Sequence, residues 1–81
     1  MTYTNAIIQM KNGNKLARIG WDNAYIFIGT YAGFKNQIIG HQDLGGHFTD
    51  VPEVSEMGNF PFSPIQEDVN ANDWYVVKIN G

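Results

Sequence analysis

The sequence predicts an α+β fold: a small antiparallel β-sheet with an N-terminal helix and a short helix before the last strand. Three observations predict it. Ala6, Ile7 and Met10 fall at helical spacing and stop at Asn12-Gly13. Runs rich in β-branched and aromatic residues follow, separated by glycine-containing turns. The block Phe62–Val77 reads as a capped short helix running almost directly into an alternating strand.

In chain order, the first helix is expected over Thr4 to Asn12, with Thr4 as its N-cap. Lys15 to Ile19 reads as a strand, Gly20-Trp21-Asp22-Asn23 as a turn, and Ala24 to Ile28 as the second arm of a hairpin. Phe34 to Ile39 is a third strand, and His41 to Asp50, polar and glycine-containing, a loop. Val51 to Val54 and Asn59 to Phe62 are expected to form a second hairpin around Met57-Gly58. Ser63 then caps the second helix, Pro64 takes its first position, and Gln66 sits at capping-box spacing. Glu67 and Asp68 place negative charge near the positive end of that helix. In the final strand Tyr75, Val77 and Ile79 form the expected core face, leaving Trp74, Val76 and Lys78 on the other, where Trp74 lines a pocket or an interface.

Eighty-one residues accommodate a single domain over 1–81. A chain of this size has a thin core and no cysteine to staple it, which makes homo-oligomerisation a natural source of further buried area. No apolar run approaches the roughly 20 residues of a membrane span, and the N-terminus lacks the pattern of a signal peptide, so a cytoplasmic protein is the default expectation. The net charge of −3 argues against a DNA or RNA polymer as partner. It does not argue against a small anion, which one arginine and a few N–H groups can hold.

Arg18 is the only arginine, three residues before Trp21. Its planar fork suits a phosphate, although a strand arginine is more often a solvated or ion-paired residue. Trp21 either anchors a partner or folds back over the core, and the core edge is the favoured reading. His41 and His47, with Asp43 and Asp50 nearby, are too loosely spaced around Gly45-Gly46 for a metal centre. No cysteine nucleophile, serine elbow or glycine-rich phosphate cradle is present, and nothing asks for a cofactor. Asp68 and Asp73 lack a matching base or nucleophile, so a helix-start charge and a turn residue are their plainer roles.

Two separated motifs resemble one known family. Lys11-x-Gly13-x-x-x-x-Arg18-x-x-Trp21 and Asp68-x-x-Ala71-x-Asp73-Trp74, the second preceded by Pro64 and Gln66-Glu67, are similar to the ends of the Thoeris anti-defence 2-like family. These are small phage domains, once known only as a domain of unknown function. The matched segments cover about half the chain. The sequence departs from the family pattern at Phe62, where a tryptophan is expected, and nothing carries over from Tyr31 to Asn59.

The resemblance implies a non-enzymatic sponge acting in the infected bacterial cell. Such a protein binds immune signalling nucleotides, cyclic ADP-ribose isomers and in some members cyclic oligonucleotides, in pockets between the subunits of a homo-oligomer. Carried onto this chain, Trp21 and Trp74 would supply aromatic platforms for adenine. Arg18 and the start of the second helix, at Ser63, would take the phosphates. Asp73, Asn5 and Gln66 would meet ribose hydroxyls. The alternative is a phage protein-interaction module that binds a host factor through an aromatic patch. A hydrolase of the same nucleotides is a third reading, and it would need a carboxylate or metal beside the labile bond.

Overall fold

A computed structural model describes residues 1–21, 24–42 and 58–78. Helix α1 spans Tyr3–Lys11, followed by strands β1 (Lys15–Arg18), β2 (Ala24–Tyr31), β3 (Phe34–Gln42) and β4 (Gly58–Pro61), helix α2 (Gln66–Asn70) and strand β5 (Trp74–Val77). The five strands form one antiparallel sheet in the order β4-β3-β2-β1-β5. The expected α+β class and both helices are therefore present.

The N-cap of the first helix lies two residues earlier than expected. Thr2, in extended backbone, is its N-cap: the Thr2 Oγ1 accepts the Asn5 N–H at 3.2 Å. Thr4 lies inside the helix instead. The predicted stop holds: Asn12 is the C-cap, and the N–H groups of Asn12, Gly13 and Asn14 bond back to Ile8, Gln9 and Met10 carbonyls. Gly13 carries φ of +92°, a conformation that favours glycine.

The sheet is longer than the sequence reading on one side. β2 and β3 pair from Ala24↔Gln42 to Tyr31↔Phe34, joined by the two-residue turn Ala32-Gly33 with positive φ at both positions. β3 takes in His41 and Gln42, which the sequence reading assigned to a loop. Cross-strand pairing decides this: His41 sits between Tyr25 and Asn59, and Gln42 between Ala24 and Gly58. The remainder of that predicted loop, and Val51 to Val54, lie outside the described residues. β4 covers most of the predicted Asn59–Phe62 strand, and the partner shown for it is β3.

The second helix starts at Gln66, with Ile65 as N-cap, so Ser63 is not the cap and Pro64 is not the first helical residue. Asp68 explains the shift. Its Oδ2 accepts the Ile65 N–H at 3.2 Å, while the Ile65 carbonyl accepts the Asp68 and Val69 N–H groups. Gln66 is thereby the first helical residue rather than the third. Glu67 and Asp68 do fall in the first turn.

The core face of β5 is the reverse of the expected one. Trp74 is 2% exposed and Tyr75 41% exposed. The register gives the reason. Val76 aligns with Leu16 and Ile26, and Trp74 with Arg18 and Ala24, on the face that α1 covers. Tyr75 and Val77 share the opposite face with Ala17, Lys15, Tyr25 and Phe27. Ile79 lies outside the described residues. Ala6, Met10, Leu16, Ala17, Trp21, Ile26 and Trp74 make the buried cluster, with Tyr3, Ile7, Phe62 and Val76 packed against it. Burying a large apolar side chain contributes roughly 1.5–3 kcal/mol, so this cluster is a main source of the fold's stability. Among the described residues no helix is long and apolar enough to cross a membrane.

Candidate functional site

Arg18 ends β1 opposite Trp74, so its guanidinium reaches the place where α2 hands over to β5. Two carboxylates meet it there. Arg18 Nη1–H donates to Asp68 Oδ1 at 3.0 Å, and Arg18 Nε–H to Asp73 Oδ1 at 2.9 Å. Asp68 is thus double-faced: one oxygen caps its own helix and the other holds Arg18. The hydrogen bond from Arg18 holds the Asp73 carboxyl below the ordinary aspartate range, and Asp73 together with Asp68 raises the Arg18 guanidinium. A quarter of the Arg18 side chain, 24%, remains exposed.

The aromatic rings behind this ion cluster are packed on one another. Trp74 lies 5.3 Å from Tyr3 and 5.2 Å from Trp21, the latter edge-on at 79°. Trp21 also meets Phe62 edge-on at 6.0 Å. The Trp74 Nε1–H donates to the Asp68 carbonyl at 2.9 Å, which satisfies the buried indole and ties the sheet to α2. Burial, and then the nearby Asp68, raise the Tyr3 hydroxyl's pKa. The Met1 amino group donates to the carbonyls of Asn72 and Trp74, and the Trp74 N–H returns to the Met1 carbonyl.

Arg18, Trp21, Asp73 and Trp74, separated by up to 56 positions, therefore come together in space. Trp21 takes the core-edge position favoured from sequence, at 7% exposure. Asn5, Ser63 and Gln66 are exposed, and the hydrogen bonds of Arg18 go to Asp68 and Asp73. Asn5 and Gln66 belong to α1 and α2, which pack against each other. Sequence reasoning missed Tyr3 and the buried role of Asp68. The signal for Asp68 was present, since an acid three residues after Ile65 is at capping-box spacing.

Elsewhere, His41 Nδ1 lies 2.6 Å from Asn59 Oδ1 and the His41 ring stacks on Tyr25 at 4.9 Å. Among the described residues no group of metal-ligating side chains gathers, and His47 lies outside them. An open groove of about 560 Å³ lies at the opposite end of α1, lined by Met10, Lys11, Gly13, Ile28 and Asn36.

A comparison with curated proteins found no match. The model of the Thoeris anti-defense 2-like domain matches residues 1–77, nearly the whole chain, and the chain belongs to that family.

Proposed function

We propose that this Thoeris anti-defense 2-like protein works by sequestration, binding an immune signalling nucleotide of the cyclic ADP-ribose type, or a cyclic oligonucleotide, without cleaving it. The observation that supports this reading is that Arg18 and Trp21 of one family motif meet Asp68, Asp73 and Trp74 of the other, with Arg18 partly exposed. Arg18 uses two of its five N–H groups on Asp68 and Asp73, leaving donors for a phosphate. Asn5, Ser63 and Gln66 offer exposed polar groups for ribose and phosphate, and Asp73 an acceptor for a hydroxyl. Trp21 and Trp74 act in this reading as the rigid wall behind the site, because their faces already meet Tyr3, Phe62 and each other. A second copy of the chain closes the site and adds the open stacking surface that adenine needs.

The test is thermal melting with cyclic ADP-ribose isomers and cyclic oligonucleotides. At a hundredfold excess over its Kd, a ligand of the folded state stabilises by about 2.7 kcal/mol, a shift of several degrees for a domain of this size. Intact nucleotide recovered after denaturing the complex separates a sponge from a hydrolase. Absence of a shift with every member of the panel removes the nucleotide reading.

One observation favours the second reading, a protein-interaction module. The sheet face away from the helices carries Tyr25, Phe27, His41, Tyr75 and Val77 beside Lys15, whose Nζ lies 5.8 Å from the Tyr25 ring and 6.0 Å from the Phe27 ring. Substituting Tyr75 there leaves nucleotide binding intact under the sponge reading and removes anti-defence activity under the other.

A further inference from the structure

We infer that Asp73 is a built-in competitor at Arg18, a carboxylate that an incoming phosphate displaces before the guanidinium can hold it. This rests on the reading of Arg18 as the phosphate-binding group, and it makes Asp73 the residue that sets how strongly an anion must bind. Charge is the first ground. One guanidinium faces two carboxylates, Asp68 Oδ1 at 3.0 Å and Asp73 Oδ1 at 2.9 Å, so the cluster carries one more negative charge than positive. A phosphate entering beside both would be a third anion around a single cation, and like charges at such range repel. Exchange with one of the carboxylates avoids that repulsion.

The two carboxylates differ in how they are held. The Asp68 side chain is 9% exposed and both its oxygens are engaged, Oδ1 by Arg18 and Oδ2 by the Ile65 N–H at the start of α2. Moving it uncaps the helix. The Asp73 side chain is 34% exposed and joins the cluster through the Arg18 Nε–H. Its backbone is fixed separately. The Asp73 carbonyl accepts the Ile19 N–H at 3.3 Å, and the Trp74 N–H donates to the Met1 carbonyl at 3.2 Å. A change of Asp73 rotamer therefore releases Arg18 while β1 and β5 stay paired. The donor released is the useful one. Nε and Nη2 form an edge of the guanidinium that grips two oxygens of one phosphate, and Asp73 occupies the Nε side of it. With Asp73 turned away, the phosphate takes that edge, Asp68 keeps Nη1 and orients the plane, and the freed carboxylate accepts a ligand hydroxyl. An anion that has only Arg18 to bind gains little over the carboxylate it replaces. A ligand with further contacts does gain, so Asp73 filters out common phosphates.

Arg18 is the only arginine, so its side-chain Nε–H gives a single NMR signal. The probe is inorganic pyrophosphate, titrated into the whole chain at neutral pH. In the unsubstituted chain the expected result is weak, saturable movement of the Arg18 Nε–H signal together with the Asp73 carboxyl carbon, while the Asp68 carboxyl carbon moves less. Asp73→Asn keeps an oxygen for the Nε–H and removes the competing charge. It is expected to tighten pyrophosphate binding about three- to tenfold, the effect of one partly exposed ion pair no longer broken and one like charge no longer met. Glu67→Gln, which removes an exposed carboxylate from α2, is expected to change it less than about 1.5-fold. Three results overturn the inference: no tightening in Asp73→Asn, equal tightening in Glu67→Gln, or movement of the Asp68 carboxyl carbon in place of that of Asp73, a readout that needs no substitution. The inference and the sequestration reading fail separately. Tighter pyrophosphate binding in Asp73→Asn without a melting shift from any cyclic nucleotide keeps the competitor and removes the sponge. A nucleotide shift with unchanged pyrophosphate binding in Asp73→Asn does the reverse.

Discussion

The two ends of α1 treat positive charge in opposite ways. At the Arg18 end, one guanidinium is shared by Asp68 and Asp73 and backed by four packed aromatic rings. At the Lys11 end, an ammonium stands over an open groove with no carboxylate partner among the described residues. The first end holds the fold together, because its ions are part of a network that caps α2 and orients the indole of Trp74. At the second end the exposed Lys11 can change without cost to the core. The difference shows that a family motif such as Lys11, Gly13, Arg18 and Trp21 mixes parts of two places with different physical duties.

The largest break in the comparison is Trp74→Ala. It empties the centre of the aromatic cluster and removes the bond to the Asp68 carbonyl, so a loss of about 3–5 kcal/mol is expected in urea unfolding, a large part of the stability of a small domain. A loss below about 1 kcal/mol would show that the rings at the Arg18 end are not structural.

Arg18→Met comes next. It leaves the nearly buried Asp68 and the half-exposed Asp73 without their cation. Breaking a fully buried pair costs about 3–5 kcal/mol, and the partial exposure of Arg18 lowers the expectation to about 1–3 kcal/mol. The matching Lys11→Met is expected to stay within about 0.5 kcal/mol, as for a surface residue. Equal effects of the two substitutions in the same unfolding experiment would erase the distinction between the ends.

The covered sheet face offers a third test. A Cβ placed on Gly40 would stand 2.6 Å from two atoms of the Phe60 ring, so Gly40→Ala forces that ring to move. A destabilisation of about 1–3 kcal/mol is expected, the range for overpacking, and Phe60→Leu in the same chain should recover part of it. Full tolerance of alanine would mean that the ring is loosely held.

The smallest effect belongs to pH. Asp73 has a lowered folded pKa, so it contributes stability above its unfolded value near pH 4, and that contribution is lost as pH falls through the folded value. Asp73→Asn should therefore flatten part of the acid limb of a stability profile below about pH 5 and leave the profile unchanged around neutrality, as read by melting temperature against pH. An unchanged acid limb would mean that Arg18 does not favour the ionised Asp73.

Local rules were enough for much of the fold. The stop at Asn12-Gly13, the β-branched and aromatic run after Ala24 and the acidic first turn of α2 were legible because each rests on neighbours within a few residues. The errors share a cause. Ser63-Pro64 is a good cap by type, but the carboxylate of Asp68 reaches back to Ile65 and moves the helix start. His41 and Gln42 look like loop residues until β2 and β4 supply partners on both sides. Of the candidate site, the residue types at Arg18, Asp73 and the two tryptophans were legible. Their meeting point was not, since the Arg18–Asp73 contact spans 55 positions.

The sequence by itself determined the class of the fold, the order of the described helices and strands, and the motifs at Lys11–Trp21 and Asp68–Trp74 on which the resemblance to the family rests. Alternation along β5 divided its residues into two faces, but it carried no sign. Read alone, it made Tyr75, Val77 and Ile79 the expected core, ahead of Trp74 and Val76. The sign was decided by tertiary structure, where α1 and α2 cover the Trp74 side, the Asp68 carbonyl accepts the indole N–H, and Tyr75 is left facing outward. Periodicity fixes which side chains travel together, and only the packing of distant elements fixes which of the two faces is removed from water.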